Sequence, residues 1–446
     1  MLLLLSMAAR AAGLSGLSVP EPLGAWAGPG AEGALGLAST PAAARPSSLS
    51  GVVDLGLIYN HYTYQLDGER PVSSGGISPA PSLAVAAPLG PLGLGVAVTP
   101  PFVRGGAGPG EDAPGRYHLG DSNILVLEAN PSLAGTYQTL TVGAGLRVAS
   151  VRFASRLQYD TAVLMNDLLA DDTQLPYQDP FLEGHYAYDV RGVGWGGTLG
   201  LRWRPARGPA LDLAWRSPLR ARVSGPMTLV PSDDLALEIA GVASGEFVFP
   251  MEVLASARVP VGSARLGGEL VYTAWSSLNT LQTSLHDLAV TSPDPTFEML
   301  LDSYGLTDQD LLDGLGEVTI ASGLSDILSG AVYVDAPLGG FSGRLGLWIT
   351  PAAIPLAYVH PGNVDFGTAD LRLGLARQVG PVGLGLAADL FLSAPREVTD
   401  SVYASDADAH SGLALPPGEG TYALRAARLG LTAVLAKKDG DGPPVW

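Results

Sequence analysis

The stretch TLGLRWRPARGPALDLAWR, residues 198–216, contains two alternating segments around a turn rich in proline and glycine. The apolar members, at every second position, are Leu199, Leu201 and Trp203 before the turn and Leu211, Leu213 and Trp215 after it. Such a period of two is typical of β-strands. Folding the segments together about residues 205–209 places Arg202 opposite Asp212. The stretch therefore predicts an antiparallel hairpin with one apolar face and an ion pair on the other.

The same alternation recurs along the chain. Further apolar sets face small or charged residues in the segments Leu92–Val98, Val142–Val148, Leu371–Leu375 and Val382–Leu386. The pattern predicts an all-β protein. Alternation alone is also compatible with a water-soluble β-sandwich, because the strands of a sandwich bury one face as well.

The connections separate these two architectures. Tight turns are predicted at residues 88–91, 138–140, 205–209, 260–263, 336–340 and 378–381. Long polar connections are predicted at about 104–120, 157–185, 225–243, 279–317, 350–364 and 394–419. Short and long connections alternate without exception in this interpretation, as in bacterial outer-membrane barrels. The count predicts a transmembrane antiparallel β-barrel of about 14 strands over residues 51–437, with both termini on the short-turn side.

Composition fits a barrel in a membrane. Hydrophobic residues make up 47% of the chain and charged residues 15%, yet no apolar run reaches the roughly 18 residues of a membrane-spanning helix. The chain has no cysteine, so no disulfide or thiolate chemistry is expected. Its net charge of −18 argues against a nucleic-acid partner.

The two ends of the chain differ from the barrel in composition. Residues 1–12 carry the apolar run Leu2–Leu5 and are interpreted as a weak signal peptide, with an ordinary N-terminus as the alternative. Residues 13–50 are rich in glycine and proline and predict an N-terminal plug in the lumen. Residues 438–446 form a polar C-terminal tail.

Motifs that resemble catalytic or metal sites lack their structural context. Two GxGxxG matches begin at Gly28 and Gly192, but neither follows a strand and opens a helix. The six histidines fall in or beside predicted loops and form no spaced pair. The acidic loop clusters lack the calcium-loop pattern. We expect no enzyme activity, no cofactor and no metal site.

Several segments resemble the long-chain fatty acid transporter family of outer-membrane proteins, which includes importers of aromatic hydrocarbons. The segment FVFPMEVLASARVPVGSARLGGELVYTAWSSL, residues 247–278, is similar to a family strand entry and the strand that follows it. Tyr272, Thr273, Trp275 and Ser276 match the strand ending Tyr-Thr-x-Trp-Ser.

The N-terminal segment also resembles the family. Thr40, Pro41 and Ala42 stand where the family plug has Asn-Pro-Ala, so the replaced Asn changes the latch of the plug. The chain departs again at its end, because residues after Lys437 form a polar tail rather than an aromatic closing residue.

The resemblance implies a monomer in the outer membrane of a Gram-negative bacterium that transports hydrophobic small molecules. It implies capture by outward loops, binding in the lumen, rearrangement of the plug and exit through a gap in the wall. Outer-membrane lipid and the barrel-assembly machinery are the other expected partners. A passive diffusion porin and a structural barrel are the alternatives.

Candidate residues exist for each step of such transport. The apolar loop residues Leu164, Met165, Leu168, Leu169, Leu235 and Leu237 predict a ligand groove, or a loop that packs on its own barrel. Pro100 and Pro101 end the predicted third strand and are candidates for the wall gap. The lumen arginines Arg147, Arg216 and Arg344 either bind a carboxylate head group or pair with acidic residues of neighbouring strands.

Overall fold

The computed structural model describes most of the chain, and the fold is stated for that part alone. The described ranges are residues 33–106, 121–160, 179–232, 237–278, 280–292, 295–303, 317–321, 323–359, 364–400 and 418–436, with isolated residues 31, 113, 162, 305, 307, 309 and 312. The predicted signal peptide, the first part of the predicted plug and the C-terminal tail lie outside these residues.

The described residues form a single antiparallel sheet of fourteen barrel strands, five of which are broken into two segments. Unbroken strands are β1 (Ser50–Leu66), β2 (Val72–Leu89), β3 (Leu92–Gly106), β4 (Asp121–Tyr137), β5 (Leu140–Asp160), β6 (Glu183–Trp203), β11 (Phe341–Thr350), β12 (Thr368–Val379) and β14 (Gly420–Ala436). Broken strands are β7 (Ala210–Arg216, Leu219–Val230), β8 (Glu238–Phe249, Glu252–Val261), β9 (Ala264–Thr273, Thr280–Ser292), β10 (Glu317–Ala321, Ile327–Leu338) and β13 (Val382–Ser393, Arg396–Val398).

Each strand pairs with the next, and the last returns to the first. β1 pairs with β14 over the whole of its length, from Ser50 opposite Ala436 to Leu66 opposite Gly420. The sheet is therefore closed, which removes the free edges that an open sheet would expose. The prediction of a 14-strand antiparallel barrel is confirmed.

The six predicted tight turns lie on one side of the barrel. All six predicted tight turns connect the strand pairs expected of them, for example at Gly90 and Gly380, whose positive φ angles of 58° and 60° suit glycine. We call this the turn side and the opposite one the loop side.

Two expectations about the connections are wrong. The alternation of short and long connections has an exception, because residues 67–71 join β1 to β2 by a short turn on the loop side. The connection predicted at 225–243 is only 231–237, since β7 and β8 extend beyond the apolar belt. Strands also extend into the predicted loops at 157–185 and 279–317. Polar residues in 280–292 and 183–185, and glycine and proline in 225–243, caused these errors because they resemble loop sequence.

The outer face carries the apolar belt that the alternation predicts. Leu199 is 54% exposed and Trp203 is 39% exposed, whereas Arg202 lies buried inside beside Asp212. The same inside-outside pattern holds in β12, where Leu371 and Leu373 are exposed and Arg372 is buried. Among the described residues, no helix is both long and apolar enough to cross a membrane. The longest described helix is Pro295–Ser303.

Candidate functional site: the lumen of the barrel

The turn side of the lumen holds residues 33–46, which follow the predicted first part of the plug. Two short 3-10 helices, Gly33–Gly36 and Pro41–Ala44, lie against the inner faces of β1 to β6. Their alanine and leucine side chains pack with alanines of the wall in one buried cluster. The N-terminal segment is therefore inside the barrel where it is described.

Glycines in the wall allow this close approach. A Cβ atom added at Gly143 would lie 2.5 Å from the backbone nitrogen of Ala42, and one at Gly95 would lie 2.8 Å from the Leu37 side chain. A Cβ at Gly200 would collide with Thr40 and Pro41. Side chains at these wall positions would therefore push the segment away from the wall.

The predicted plug motif forms the start of the second 3-10 helix. Thr40 is fully buried, and its hydroxyl oxygen accepts a hydrogen bond of 3.3 Å from the Ala42 backbone N–H. Pro41 occupies the first turn, where its missing N–H costs nothing. Arg45 then donates to the carbonyl oxygens of Gly90 and Pro91 in the β2–β3 turn. Threonine thus caps this helix, as asparagine also can.

A buried ion-pair network crosses the middle of the lumen. Glu128 of β4 accepts two hydrogen bonds of 2.9 Å from Arg147 and one of 2.7 Å from Arg216. Arg216 also donates to Glu252 at 3.0 Å, and Arg147 donates to the Ser217 carbonyl at 2.6 Å. The network links strands β4, β5, β7 and β8. Arg147 and Arg216 are therefore both engaged with carboxylates.

The other lumen arginines are paired as well. Arg344 donates to both carboxylate oxygens of Asp335, at 2.6 and 3.0 Å, and its guanidinium stacks over the Tyr333 ring at 4.5 Å. Arg428 bridges Asp54 and Asp389 across the seam between β14, β1 and β13. The partners of the head-group candidates are Glu128, Glu252 and Asp335. They were not among the acidic residues that the alternation singled out.

Apolar and aromatic side chains fill the loop side of the lumen. The cluster draws on nearly every strand and on the connections above them, and its largest members include Tyr64, Phe102, Phe153, Tyr186, Phe247, Phe249, Trp275 and Tyr422. Ile354, Val359 and Phe366 of the β11–β12 connection close it from above. The described part of the lumen is thus apolar on the loop side and ionic in the middle, and it holds residues 33–46 on the turn side.

Strand β3 bends into this cluster at Pro100 and Pro101. The strand does not end at the two prolines, as the sequence suggested, but continues to Gly106. Its pairing with β4 slips at this point, between Thr99 and Phe102, which marks a β-bulge. Beyond the bulge both Phe102 and Val103 are buried. The bulge therefore turns the outer part of β3 toward the lumen.

Phe102 is the centre of the aromatic contacts. Its ring stacks on Phe249 at 5.5 Å between centroids and meets Trp275 edge-on at 6.2 Å. Phe249 lies at the break in β8, and Trp275 lies in the 3-10 helix that interrupts β9. Both partners therefore come from the far side of the barrel.

The bend leaves β2 and β3 unpaired over their outer parts. The two strands pair through seven residue pairs, from Leu89 opposite Leu92 to Leu83 opposite Val98. Above that point, within the described residues, β2 pairs only with β1, and β3 only with β4. We call this opening the wall gap. Pro79 and Pro81 flank it on β2, and prolines cannot donate to a ladder.

The wall gap faces the apolar belt. Leu57 and Tyr59 of β1, which lie opposite Pro79 and Ile77, are exposed on the outer face at this height. On the inner side, Ala80 and Val103 form a small buried cluster. The gap therefore joins the hydrocarbon level of the outer face to the lumen beside Phe102.

The matched family motif lies where β9 is interrupted. Thr273 and Trp275 are buried, whereas Tyr272 is on the outer face. The Tyr272 hydroxyl and the Ser276 backbone N–H both donate to the Asp326 carboxylate, the latter at 2.9 Å. Asp326 thereby ties the break in β9 to the break in β10, and holds Trp275 against Phe102.

The predicted loop groove is only partly within the described residues. Leu237 lies in the connection at 231–237 and is buried in the apolar cluster of the lumen, which fits the alternative of a loop packed on its own barrel, and its role in a ligand groove stays a prediction. Leu237 is the last residue before β8, at the end of a connection that is shorter than predicted. The five other groove candidates, Leu164, Met165, Leu168, Leu169 and Leu235, lie outside the described residues.

Histidines and acidic residues were also placed by the structure. His61, His185 and His286 lie in the outer parts of β1, β6 and β9 rather than in loops. Within the described ranges, no group of three or more His, Asp or Glu side chains is placed to hold a metal ion.

Sequence reasoning singled out Pro100 and Pro101 for the wall gap and matched Trp275 to a family motif, but it missed the prolines that flank the gap on β2 and the aromatic partners of Trp275. Pro79 and Pro81 could have indicated the gap, because a proline within an alternating strand cannot donate a hydrogen bond to a neighbouring strand. The spacing from Pro81 to Gly93 recurs from Pro131 to Gly143, and both glycines face the N-terminal segment. Nothing in the local sequence of Phe102 pointed to Phe249 or Trp275.

Solved structures with the same architecture complete the description, although no protein-family description and no curated protein matches the sequence. A FadL homologue from Pseudomonas aeruginosa is similar with a TM-score of 0.76 at 15% identity, over 94% of this chain and 99% of that one. The toluene transporter TodX of P. putida has a TM-score of 0.65 at 13% identity, over 95% and 99% of the two chains. The Ralstonia pickettii toluene transporter TbuX has a TM-score of 0.63 at 15% identity, over 95% and 99%. The chain therefore has the barrel fold of the FadL-type proteins, the family that its sequence resembles.

Proposed function

We propose that this protein is an outer-membrane channel that takes up uncharged hydrophobic small molecules and releases them sideways through the wall gap. The observation that carries the proposal is the unpaired stretch between β2 and β3, which opens at the apolar belt. A polar solute gains nothing from an exit into hydrocarbon, whereas an apolar solute does.

The contents of the lumen support an apolar ligand. The loop side is filled by aromatic and aliphatic side chains that belong to one buried cluster. Apolar pockets of this kind bind apolar guests. A diffusion porin for polar solutes would instead require a water-filled polar lumen. The apolar cluster and the inserted N-terminal segment both favour the channel for hydrophobic molecules.

The pairing of the arginines favours an uncharged ligand. Arg147, Arg216 and Arg344 each hold a carboxylate partner at hydrogen-bond distance. A ligand carboxylate would have to compete with those partners in a buried site, where breaking an ion pair is costly. The arginines that the sequence offered as head-group sites therefore serve the wall of the barrel.

The proposed path starts at the aromatic cluster and leaves beside Phe102. From there Val103 and Ala80 line the inner mouth of the wall gap. Residues 33–46 occupy the alternative exit on the turn side. Two similar structures are titled as toluene transporters, which fits an uncharged aromatic ligand. Capture by the loop residues Leu164, Met165, Leu168 and Leu169 stays a prediction.

The experiment alters the prolines of the wall gap. We expect the double substitution Pro100→Val and Pro101→Val to restore backbone donors to β3 and so to narrow the gap. Uptake of radiolabelled toluene into cells that express the variant should then fall several-fold relative to the unaltered protein. Pro131→Val is the matched control, because Pro131 lies in β4 opposite Val96 of β3, where these two strands pair and below the wall gap.

Two results would contradict the proposal. One is a double variant that is correctly inserted in the membrane and takes up toluene as fast as the unaltered protein does. The other is entry of a polar solute such as arabinose at the rate of toluene, which would instead indicate a diffusion porin.

A further inference from the structure

Five arginines form a patch on the outer face of the barrel. We call Arg152 and Arg156 of β5, Arg191 of β6, and Arg220 and Arg222 of β7 the outer arginine patch. The strands are neighbours, with Arg152 opposite Arg191 and Val193 opposite Arg222. The side chains of Arg191, Arg220 and Arg222 are 66%, 72% and 90% exposed.

The patch carries more positive charge than its acidic neighbours neutralise. Asp189 pairs with Arg152 at 2.8 Å and with Arg191 at 2.9 Å. Glu246 pairs with Arg222 at 3.4 Å and with Arg220 at 3.5 Å. Two carboxylates thus serve four arginines, and the fifth, Arg156, lies opposite Asp121 of β4, so five arginines face three carboxylates. Each guanidinium has five N–H donors, so donors remain for a further anion.

This excess is unusual for the chain as a whole. The sequence has 25 basic and 43 acidic residues, and five of the basic ones lie in this patch. A basic area on three adjacent strands of an otherwise acidic protein has a positive local potential, which attracts anions.

The height of the patch identifies where that anion lies. The outward residues of β6 are apolar or glycine from Trp203 to Val193, and the next outward residue is Arg191. Those ten steps rise about 33 Å along the strand, or roughly 25 Å across a membrane at a tilt near 40°. This is the thickness of the apolar band of a membrane barrel. Arg191 therefore lies just above the apolar band, at the level of the lipid headgroups on the loop side.

Neighbouring aromatics support that placement. Trp195 is 61% exposed on the same face, one outward position below Val193. Tryptophans at such positions lie at the membrane interface. The long arginine side chains of β7 can extend upward along the barrel to the same level.

We propose that the outer arginine patch binds the phosphate-bearing headgroup of an anionic lipid in the loop-side leaflet. Guanidinium groups bind phosphate oxygens through paired hydrogen bonds, and two or three neighbouring arginines can surround one phosphate. Asp189 and Glu246 hold the guanidinium groups in place without neutralising them. The inference rests on insertion in a membrane, and not on the transport proposed above.

The test compares lipid binding by the purified full chain in detergent, measured by native mass spectrometry. The probes are phosphatidylglycerol and phosphatidylcholine with identical acyl chains, and inorganic phosphate as a competitor. The patch variant is Arg191→Gln with Arg222→Gln. The matched control is Arg70→Gln with Arg425→Gln, which removes two exposed arginines from the loop side near β1 and β14.

We expect the unaltered protein and the control to retain phosphatidylglycerol in preference to phosphatidylcholine. The patch variant should bind phosphatidylglycerol on the order of tenfold more weakly. Equal retention of the two lipids, or an unchanged affinity in the patch variant, would overturn the proposal. Displacement of phosphatidylglycerol by inorganic phosphate at equal concentration would also overturn it, because the site would then bind free anions. If the double variant does not fold, Arg222→Gln alone provides the same test, since that side chain is almost fully exposed.

Discussion

The two ends of the lumen are filled in different ways. On the turn side, the backbone of residues 33–46 lies directly against glycines of the wall, such as Gly143 and Gly200. On the loop side, large side chains from opposite strands meet each other, as Phe102 meets Phe249. The turn side therefore requires wall positions without side chains, whereas the loop side requires large side chains on the wall.

This difference indicates which end can change during transport. A chain segment packed on glycines must move as a unit, because its backbone contacts many strands at once. An aromatic cluster can exchange one ring contact for a ligand contact of similar area, since dispersion contacts are individually weak. The ion-pair network around Glu128 separates the two regions. We therefore propose a ligand site above the network and a fixed closure below it.

Removal of the N-terminal segment should have the largest effect and would test the closure. We expect deletion of residues 13–46 to convert a channel with little ionic conductance into a permanently open pore. Planar-bilayer recordings would measure the change, with Gly430→Ala as a control because a methyl there meets its nearest neighbour at 3.4 Å. Conductance equal to that of the full chain would show that the segment does not close the lumen.

Glu128 tests the boundary between the two regions. Glu128→Ala leaves Arg147 and Arg216 buried without this carboxylate, so we expect a loss of about 3–5 kcal/mol in the free energy of unfolding. Urea titration of the barrel in detergent, followed by tryptophan fluorescence, would measure it. Glu246→Ala is the control, since that exposed pair is worth at most about 1 kcal/mol. Similar losses in the two variants would contradict the role of Glu128.

Gly143 tests the close approach on the turn side. We expect Gly143→Ala to destabilise the protein by about 1–3 kcal/mol, because the added methyl overlaps the Ala42 backbone. Protease cleavage within residues 33–46 should increase as the segment is displaced. The matched variant Gly430→Ala should leave both the stability and the cleavage unchanged. An unchanged cleavage pattern in Gly143→Ala would mean that the wall glycines do not hold the segment.

Phe102 tests the loop side and should give the smallest effect. Phe102→Leu keeps most of the volume but removes the ring contacts with Phe249 and Trp275, at a cost of about 0.5–1.5 kcal/mol. Unfolding by urea would measure the loss, and Phe181→Leu is the control because that ring is 46% exposed. A loss larger than that for Gly143→Ala would reverse the comparison and make the aromatic cluster the more rigid region.

Much of the architecture could be predicted from residues 198–216 and their repeats. Alternation depends on neighbours two positions apart, and so Leu199, Arg202 and Asp212 were assigned to the correct faces from local sequence. The strand ends near the loop side were harder, because outward residues above the apolar belt are polar. The strand residues 225–230 and 238–243 resembled a loop for another reason, because Gly225, Pro226 and Gly241 interrupt their alternation.

The sequence by itself determined the sheet, the number of strands and the faces toward lipid and lumen, since a period of two is a property of the extended chain. The contents of the lumen were decided by the tertiary structure. Arg216 reaches Glu128 across 88 positions of sequence, and Arg428 reaches Asp54 across 374. Such contacts exist only after the sheet closes, because the radius of the barrel and the bend in β3 determine which inward side chains meet. Local periodicity contains no information about either. Pro100 and Pro101 indicated a place for the wall gap on β3, but the extent of the gap and the contacts of the aromatic cluster emerged only from the closed fold.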